Sequence, residues 1–284
     1  MKNRRARPIG LFDSGVGGLS VWREVVALLP AEDTIYVADQ VHCPYGERTP
    51  EEISTLSEGI TRFLLEQGAK VIVVACNTAS AAALCHLRQQ FSVPFVGMEP
   101  AVKPAAERTV RGKVGVMATP TTLAGAPFIR LVNRFAQDVE VVQSICPGLV
   151  QLVEEEELDG PVPEERVTGC LQPLRAEGVD VLVLGCTHYP FLRPVIERVM
   201  GPGVEVIDPA PAVAQQVRRV LERDEMLNER QTAGAHRMYT SGDRRSFRRM
   251  VSRLVGERGS AERLMWVAHE EGGFILSNPV LPRQ

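Results

Sequence analysis

The stretch GAKVIVVACNT, Gly68 to Thr78, returns later in the chain as GVDVLVLGCTH, Gly178 to His188. Each copy is a β-branched apolar run that closes on a cysteine, Cys76 or Cys186, and then turns polar. An uninterrupted apolar run of this length reads as a strand buried on both faces, as in parallel sheets covered by helices. Doubly wound α/β folds bind their ligands in the crevice at the carboxyl ends of such strands. The repeat therefore aims two sulfurs at equivalent crevices. Two halves facing each other would set those sulfurs on opposite sides of one small molecule.

Outward from this pair, short apolar runs alternate with helical stretches. IGLF leads to a helix from Leu19, then TIYVAD, a helix from Pro50 to Gln67, VIVVAC, a helix from Ala79, and PFVGM. The rhythm restarts at Val114 with VGVMAT, a helix through Leu131, VEVVQS, a helix near Leu149, a second helix to Glu177, VLVLGC, another helix and VEVID. This is the pattern of βα units in a parallel sheet. IGLFDS matches VGVMAT, TIYVAD matches VEVVQS, and Cys43-Pro44 matches Cys146-Pro147. Although βα units resemble one another everywhere, matches in the same order point to a duplicated chain. The expected fold is α/β, with two pseudo-symmetric doubly wound domains, mostly parallel sheets and a site in the cleft between them. The first domain would take residues 1–98 plus 209–284, and the second residues 99–208. Pro209 and Pro211 favour a bend and a helix start where the chain crosses back. Gly272-Gly273 reads as a loop.

The chain has 284 residues, with 44% hydrophobic and 24% charged, which excludes a disordered or membrane-embedded composition. A formal net charge of −3 gives no overall footprint for nucleic acid. The one basic run, RRSFRRMVSR from Arg244 to Arg253, has its arginines at helical spacing and reads as a solvated helix face. The basic N-terminus lacks the apolar core of a secretory signal, and no run of ~18 apolar residues occurs, so no membrane association and a cytoplasmic location are expected. Six cysteines in a chain of this kind are expected as reduced thiols, and Cys85 and Cys170, within helical patterns, as core residues.

Asn77-Thr78 and Thr187-His188 follow the two cysteines where each strand is expected to become a helix. Backbone N–H groups at a helix start lower a thiol's pKa, whereas apolar burial raises it. Asp13-Ser14 closes the first strand ahead of Gly15, Gly17 and Gly18, which let the backbone approach an anionic group closely. DSGVGG fits neither the dinucleotide pattern nor a phosphate-binding loop with its lysine, so no nucleotide cofactor is expected. Pro44-Tyr45-Gly46 and the pair Thr119 and Thr122 fall at corresponding strand edges, the hydroxyls suited to a substrate carboxylate. Asp39 and Glu154 are acids near element ends, which a solvated carboxylate would equally explain. His188 stands where the first copy has Thr78, two residues from Cys186, and can assist its deprotonation or bind substrate. Zinc on Cys76, Cys186 and His188 is the competing reading, but the spacing matches no common zinc pattern and a fourth ligand is lacking, so no metal is expected.

With DSGVGG, PYG, ACNTAS, GMEPAVKPA, MATPTT, LGCTHYP and YTSGD in order, residues 9 to 243 closely resemble the glutamate racemases of the cofactor-independent aspartate/glutamate racemase superfamily. That resemblance implies two-base racemisation without pyridoxal phosphate, supplying D-glutamate for peptidoglycan synthesis. It implies that Cys76 takes the Cα proton of the D enantiomer and Cys186 that of the L enantiomer, with Asp13 and His188 assisting. Substrate contacts carry over to Asp13, Ser14, Pro44, Tyr45, Gly46, Asn77, Thr78, Thr119, Thr122, Thr187 and His188, and secondary acidic positions to Asp39 and Glu154. It further implies a homodimer. Aspartate racemases tend to follow the second Cys-Thr with glutamate, so His188 favours glutamate as substrate. A superfamily racemase acting on aspartate or a hydantoin is the alternative, and an amino-acid binding module or a thiol redox protein are more distant ones. Gly125 and Pro127 stand where the family usually has serine and tyrosine.

Overall fold

A computed structural model describes residues 4–257, 260–268 and 274–277. Its strands are β1 (Ile9–Asp13), β2 (Thr34–Ala38), β3 (Val71–Val74), β4 (Phe95–Gly97), β5 (Lys113–Ala118), β6 (Glu140–Ile145), β7 (Val181–Gly185), β8 (Glu205–Ile207), β9 (His236–Thr240), β10 (Ala261–Arg263), β11 (Met265–Ala268) and β12 (Phe274–Ser277). The α-helices are α1 (Leu19–Leu28), α2 (Pro50–Glu66), α3 (Asn77–Gln90), α4 (Val102–Arg108), α5 (Pro120–Ala124), α6 (Ala126–Phe135), α7 (Leu149–Glu154), α8 (Pro161–Ala176), α9 (Arg193–Met200), α10 (Ala210–Arg223) and α11 (Arg244–Val255).

Two parallel sheets carry the fold. One has the order β10-β9-β2-β1-β3-β4 and the other β6-β5-β7-β8, while β11 and β12 form a separate antiparallel pair. The core of the first sheet, β2-β1-β3-β4, has the same order as the whole of the second, which is the expected duplication at the level of topology. Register agrees as well: Ile9 pairs with Val71 in the first sheet, and Val114 pairs with Val181 in the second. One match needs correction. Ile9 pairs with Thr34 and Val114 with Val141, so the counterpart of Thr34 is Val141, two residues beyond the alignment of TIYVAD with VEVVQS. Side chains in a strand alternate with period two, so a shift of two leaves the apolar pattern unchanged and the sequence cannot detect it.

Alternate faces of the strands feed different cores. Ile9, Leu11, Leu182 and Leu184 turn into one cluster that continues through residues of α1, α8, α9, α10 and α11, so a common core runs through both halves of the chain. Phe12, Ile72 and Val74 face residues of α2 and α3, and Val114, Val116, Val181 and Val183 face residues of α4 and α6. Because both faces are covered, β1, β3 and β7 are buried along their whole length.

Local chemistry sets the helix ends. Thr49 caps α2 in a reciprocal box with Glu52, and Pro50 begins its first turn. Pro209 caps α10 and Pro211 lies in its first turn, the helix start these prolines favour. The single helix expected through Leu131 is two, α5 and α6, broken at Gly125 with Pro127 opening the second. Proline has no N–H to donate to the preceding turn, so Pro127 does not continue α5 and is accommodated in the first turn of a new helix. On α11, Arg244, Arg245, Arg248, Arg249 and Arg253 are exposed while Phe247, Met250, Val251 and Leu254 are buried, the solvated arginine face read from the sequence. Cys170 is buried, but Cys85 is exposed and is not the core residue expected. Among the described residues no helix is long and apolar enough to cross a membrane. Gly272-Gly273 lies outside the described residues.

Candidate active site

Cys76 follows β3 and Cys186 follows β7, so the two sulfurs leave matched central strands of the two sheets. Both are nearly buried, 4% and 7% exposed. Their continuations differ. Cys76 caps α3, and its sulfur accepts the Ala79 N–H at 3.5 Å. Cys186 instead enters a turn and the short 3-10 segment Tyr189–Leu192 before α9 begins, so it does not sit at an α-helix start as expected.

The polar neighbours of the two sulfurs also differ. On the Cys76 side, the Cys76 thiol points to Ser14 Oγ at 4.0 Å, and the Asp13 carboxylate accepts the Gly18 N–H at 2.7 Å. Burial pushes the Cys76 thiol well above its usual range, the Asp13 charge adds to the rise, and the Ala79 N–H only partly opposes it. The lowering expected from the helix start is thus outweighed by desolvation. Burial raises Asp13 too, against the lowering influence of His188 and of hydrogen bonds from Cys76, Gly18 and Ser14.

On the other side His188 Nδ1 lies 3.8 Å from Cys186 Sγ, and His188 Nε2 lies 2.8 Å from Glu154 Oε1. Glu154 comes from the end of α7 and is held on every side: Val16 N–H donates to Oε1 at 2.7 Å and Gln40 Nε2 to Oε2 at 2.7 Å. Burial alone would push His188 down, but its hydrogen bonds with Cys186, Cys43 and Glu154 win and hold the imidazolium well above its usual value. Burial would likewise raise Glu154, yet His188, Val16 and Gln40 bring it below the usual carboxylate range. This packing explains two glycines. A Cβ on Gly15 would fall 1.9 Å from Glu154 Oε1, and one on Gly17 would fall 2.3 Å from His188 Nδ1.

The remaining expected residues gather around these groups. Thr78 and Thr119 are joined through their hydroxyls at 2.9 Å, and Thr119 to Thr122 at 2.9 Å, so hydroxyls from both sheets meet. The Thr187 carbonyl accepts from Ser20 Oγ at 3.0 Å. Both side-chain atoms of Asn77 are buried without a hydrogen-bond partner among the described residues. A buried amide left unpaired costs ~1–3 kcal/mol, so its retention beside Cys76 fits a ligand group that completes it. Pro44, Gly46 and Thr119 line a cavity of about 130 Å³ with Cys146 and Tyr189. A second cavity of about 380 Å³, lined by Gln40, Cys43, Glu154 and Met250, opens beside the His188 network. Neither cavity is lined by Cys76 or Cys186 themselves.

Asp39 is one step removed. Its carboxylate accepts from Tyr45 OH, Ser241 Oγ and Trp266 Nε1, each at 2.8 Å, and lies 3.0 Å from His42 Nδ1. It therefore orients Tyr45 instead of meeting a sulfur. Sequence reading did not single out Ser241, Trp266 or His42 in this role, nor Gln40 beside Glu154. Only Ser241 carried a signal, through YTSGD.

Cys43, Glu154 and His188 bring one ligand atom each within 4.8 Å of one another. Their chemistry suits protons better than a cation. Glu154 Oε1 already accepts from Val16 and meets His188 Nε2 at 2.8 Å, so these atoms are engaged with one another.

The Asp/Glu/hydantoin racemase family model matches residues 9–217. The glutamate racemase of Herpetosiphon aurantiacus is 54% identical over 237 residues, covering 84% of this chain and 93% of that one. The crystal structure of glutamate racemase isoform RacE1 from Bacillus anthracis superposes with a TM-score of 0.85 at 34% identity, covering 91% of this chain and 97% of that one. The Escherichia coli glutamate racemase, solved with L-glutamate and the activator UDP-MurNAc-Ala, gives 0.80 at 34% identity, covering 91% and 98%. With two thiols at matched strand ends and likeness over nearly its whole length, the chain belongs to the Asp/Glu/hydantoin racemase family, among the glutamate racemases.

Proposed function

We propose that the chain interconverts L- and D-glutamate with Cys76 and Cys186 as two opposed bases and no cofactor. The observation that carries this is the pairing of each thiol with a different proton partner, Asp13 beside Cys76 and His188 with Glu154 beside Cys186. Inversion at a fixed substrate needs one sulfur to accept the Cα proton while the other donates, so the two must start in opposite protonation states. A buried Cys76 held as thiol supports the donor state on one face. His188 Nδ1 can take and return the Cys186 proton on the other. In the reverse direction the roles exchange, Cys76 acting on D-glutamate with Asp13 as its partner and Cys186 on L-glutamate with His188.

The Cα–H bond of an amino acid is a very weak acid, and one positioned base typically supplies ~10²–10⁴-fold. Enzymes commonly need ~8–23 kcal/mol of barrier lowering, so fixed dipoles must supply most of it. Ser14, Asn77, Thr78, Thr119, Thr122, Thr187 and the Pro44-Tyr45-Gly46 turn are the groups that would bind the substrate carboxylates and ammonium. The unpaired Asn77 amide supports this. Asp39 acts through Tyr45. The lobes are residues 1–98 plus 209–284 and residues 99–208, supported by the addition of β9 and β10 to the first sheet. The D-glutamate produced serves peptidoglycan synthesis in the cytoplasm, and the enzyme works as a homodimer, which sedimentation velocity reads directly.

The test is incubation of each enantiomer in deuterated water without cofactor, following optical rotation and Cα deuterium together. Both should change with the wild-type chain. Cys76→Ala and Cys186→Ala should each lower racemisation at least ~10²-fold. Wild-type turnover in either variant would overturn the two-thiol assignment.

A further inference from the structure

Glu154 is held by a chain of hydrogen bonds whose direction can be worked out atom by atom. The Gly242 N–H donates to Thr240 Oγ1 at 2.9 Å, and the Thr240 hydroxyl lies 2.8 Å from Gln40 Oε1. The Glu154 carboxylate can only accept, so the Gln40 NH2 faces it and Gln40 Oε1 faces Thr240, whose hydroxyl gives its one proton to that oxygen while accepting from Gly242. That fixes the Gln40 amide, leaving its NH2 as the group that meets Glu154 Oε2 at 2.7 Å, with Met250 Sδ as a weak second acceptor at 3.6 Å. A flipped amide would set its oxygen against the carboxylate. Val16 N–H and the Cys43 thiol donate to the other oxygen, Oε1, at 2.7 and 3.8 Å. Glu154 is thus surrounded by donors and serves as an acceptor only. A carboxylate that only accepts requires His188 Nε2 to carry a hydrogen.

We propose that Thr240 and Gln40 are positioning residues for racemisation: through Glu154 they fix the Nε2–H form of His188 and so reserve Nδ1 for the proton of Cys186. The inference rests on the reading of Cys186 as one of the two bases and adds how its partner is oriented. The proton of Cys186 then passes between Sγ and Nδ1, and Glu154 takes none of it. The groups facing the imidazole are Asp13 from the end of β1, Cys43 from the turn after β2, Glu154 from α7 and Cys186 from the end of β7. Among the described residues, Glu154 is the one of these tied by side chains to the C-terminal strand β9. This gives the C-terminal segment a part in the chemistry through Thr240, a residue that touches neither sulfur. Thr240 is fully buried, as a polar group held for its hydrogen bonds would be.

The experiment is nitrogen-15 NMR of the full chain labelled at its histidine rings, with His188 assigned by its loss in His188→Asn. In the wild type, Nε2 of His188 should remain the protonated nitrogen throughout the range in which imidazole titrates, while the Nδ1 signal moves. Thr240→Val and Gln40→Leu should mix the two tautomers and lower kcat by roughly 10- to 100-fold, the usual cost of losing a partner that orients a working imidazole. KM should hold, and the limb of the pH profile that belongs to the His188 and Cys186 pair should move. Thr240→Ser, which keeps the hydroxyl, should restore both. A wild-type spectrum with hydrogen on Nδ1 and none on Nε2 would overturn the proposal without any variant. So would variants that lose activity while tautomer and pH profile stay as in the wild type, since that is a structural role only. Full racemisation by Cys186→Ala would instead overturn the two-thiol reading, so the two failures are distinguishable.

Discussion

Thr78 Oγ1 and Thr119 Oγ1 lie 2.9 Å apart, one at the start of α3 beside the first thiol and the other at the end of β5 in the opposite sheet. Thr122 extends this hydroxyl line by a further 2.9 Å. The bond spans the two halves at the carboxyl edges of their strands, where α/β folds bind ligands. Hydroxyls that satisfy one another in the free protein can exchange that partner for a substrate carboxylate without leaving a buried group unpaired.

Thr119→Val should therefore raise KM for both enantiomers by roughly 5- to 10-fold, the equivalent of about 1–1.5 kcal/mol for one hydrogen bond. Because enantiomers have equal free energy in water, kcat/KM must fall by the same factor in both directions. Steady-state kinetics from each enantiomer check this. An unchanged KM would mean that the hydroxyl line only closes the two sheets together.

Gly17 leaves room for the His188 ring by what it lacks. A Cβ there would fall 2.3 Å from His188 Nδ1, the nitrogen that faces Cys186. Gly17→Ala should displace the imidazole, destabilise the fold by about 1–3 kcal/mol as overpacking does, and lower kcat more than KM. Denaturant melts together with kinetics read both effects. Wild-type kcat in this variant would show that the ring can move without losing its function.

How far the sequence foretold this molecule follows from distance along the chain. β3 and β7 were legible because a strand buried on both faces leaves an unbroken apolar run, and their cysteines marked the candidate site. Glu154 was legible only as an acid near an element end, since its partners Val16, Gln40 and His188 come from three other segments and leave no local pattern. Cys85 and Cys170 both lie in helices, yet one is exposed and one buried, because helical spacing identifies a face without saying which face is inside. The misaligned TIYVAD failed for the opposite reason: a period of two repeats too soon to fix its own register.

Lys70 precedes β3, at the opposite end of that strand from Cys76. Its fully buried ammonium donates to Glu32 Oε2 at 2.5 Å and to the carbonyls of Arg5 and Met226 at 2.6 and 2.9 Å. Burial pushes Lys70 down, and Glu32 opposes that by favouring the charged form. Lys70→Ala should cost about 3–5 kcal/mol because it strands a buried carboxylate. The double variant Lys70→Met with Glu32→Leu should recover most of that loss. Equilibrium unfolding of the single and double variants checks both, and a single variant within 1 kcal/mol of wild type, on the order of a surface pair, would contradict it.

The ion pair of His188 and Glu154 makes stability depend on pH in a direction that can be stated for each partner. Glu154 is depressed below its reference value of 4.5, so its contribution is present above that pH and is lost as pH falls through the folded value. His188 is raised well above its reference value of 6.5, so its contribution is fully present below 6.5 and is lost as pH rises through the folded value. Both contributions therefore coexist between 4.5 and 6.5. Every tenfold change in imidazole acidity between folded and unfolded chain is worth about 1.4 kcal/mol. The gap in unfolding free energy between wild type and His188→Asn should be widest at or below pH 6.5 and close as pH rises. For Glu154→Gln the gap should instead close on the acid side. Denaturant melts at stepped pH separate the two, and a gap for His188→Asn that widens above pH 6.5 would mean that the buried imidazole is neutral in the folded chain.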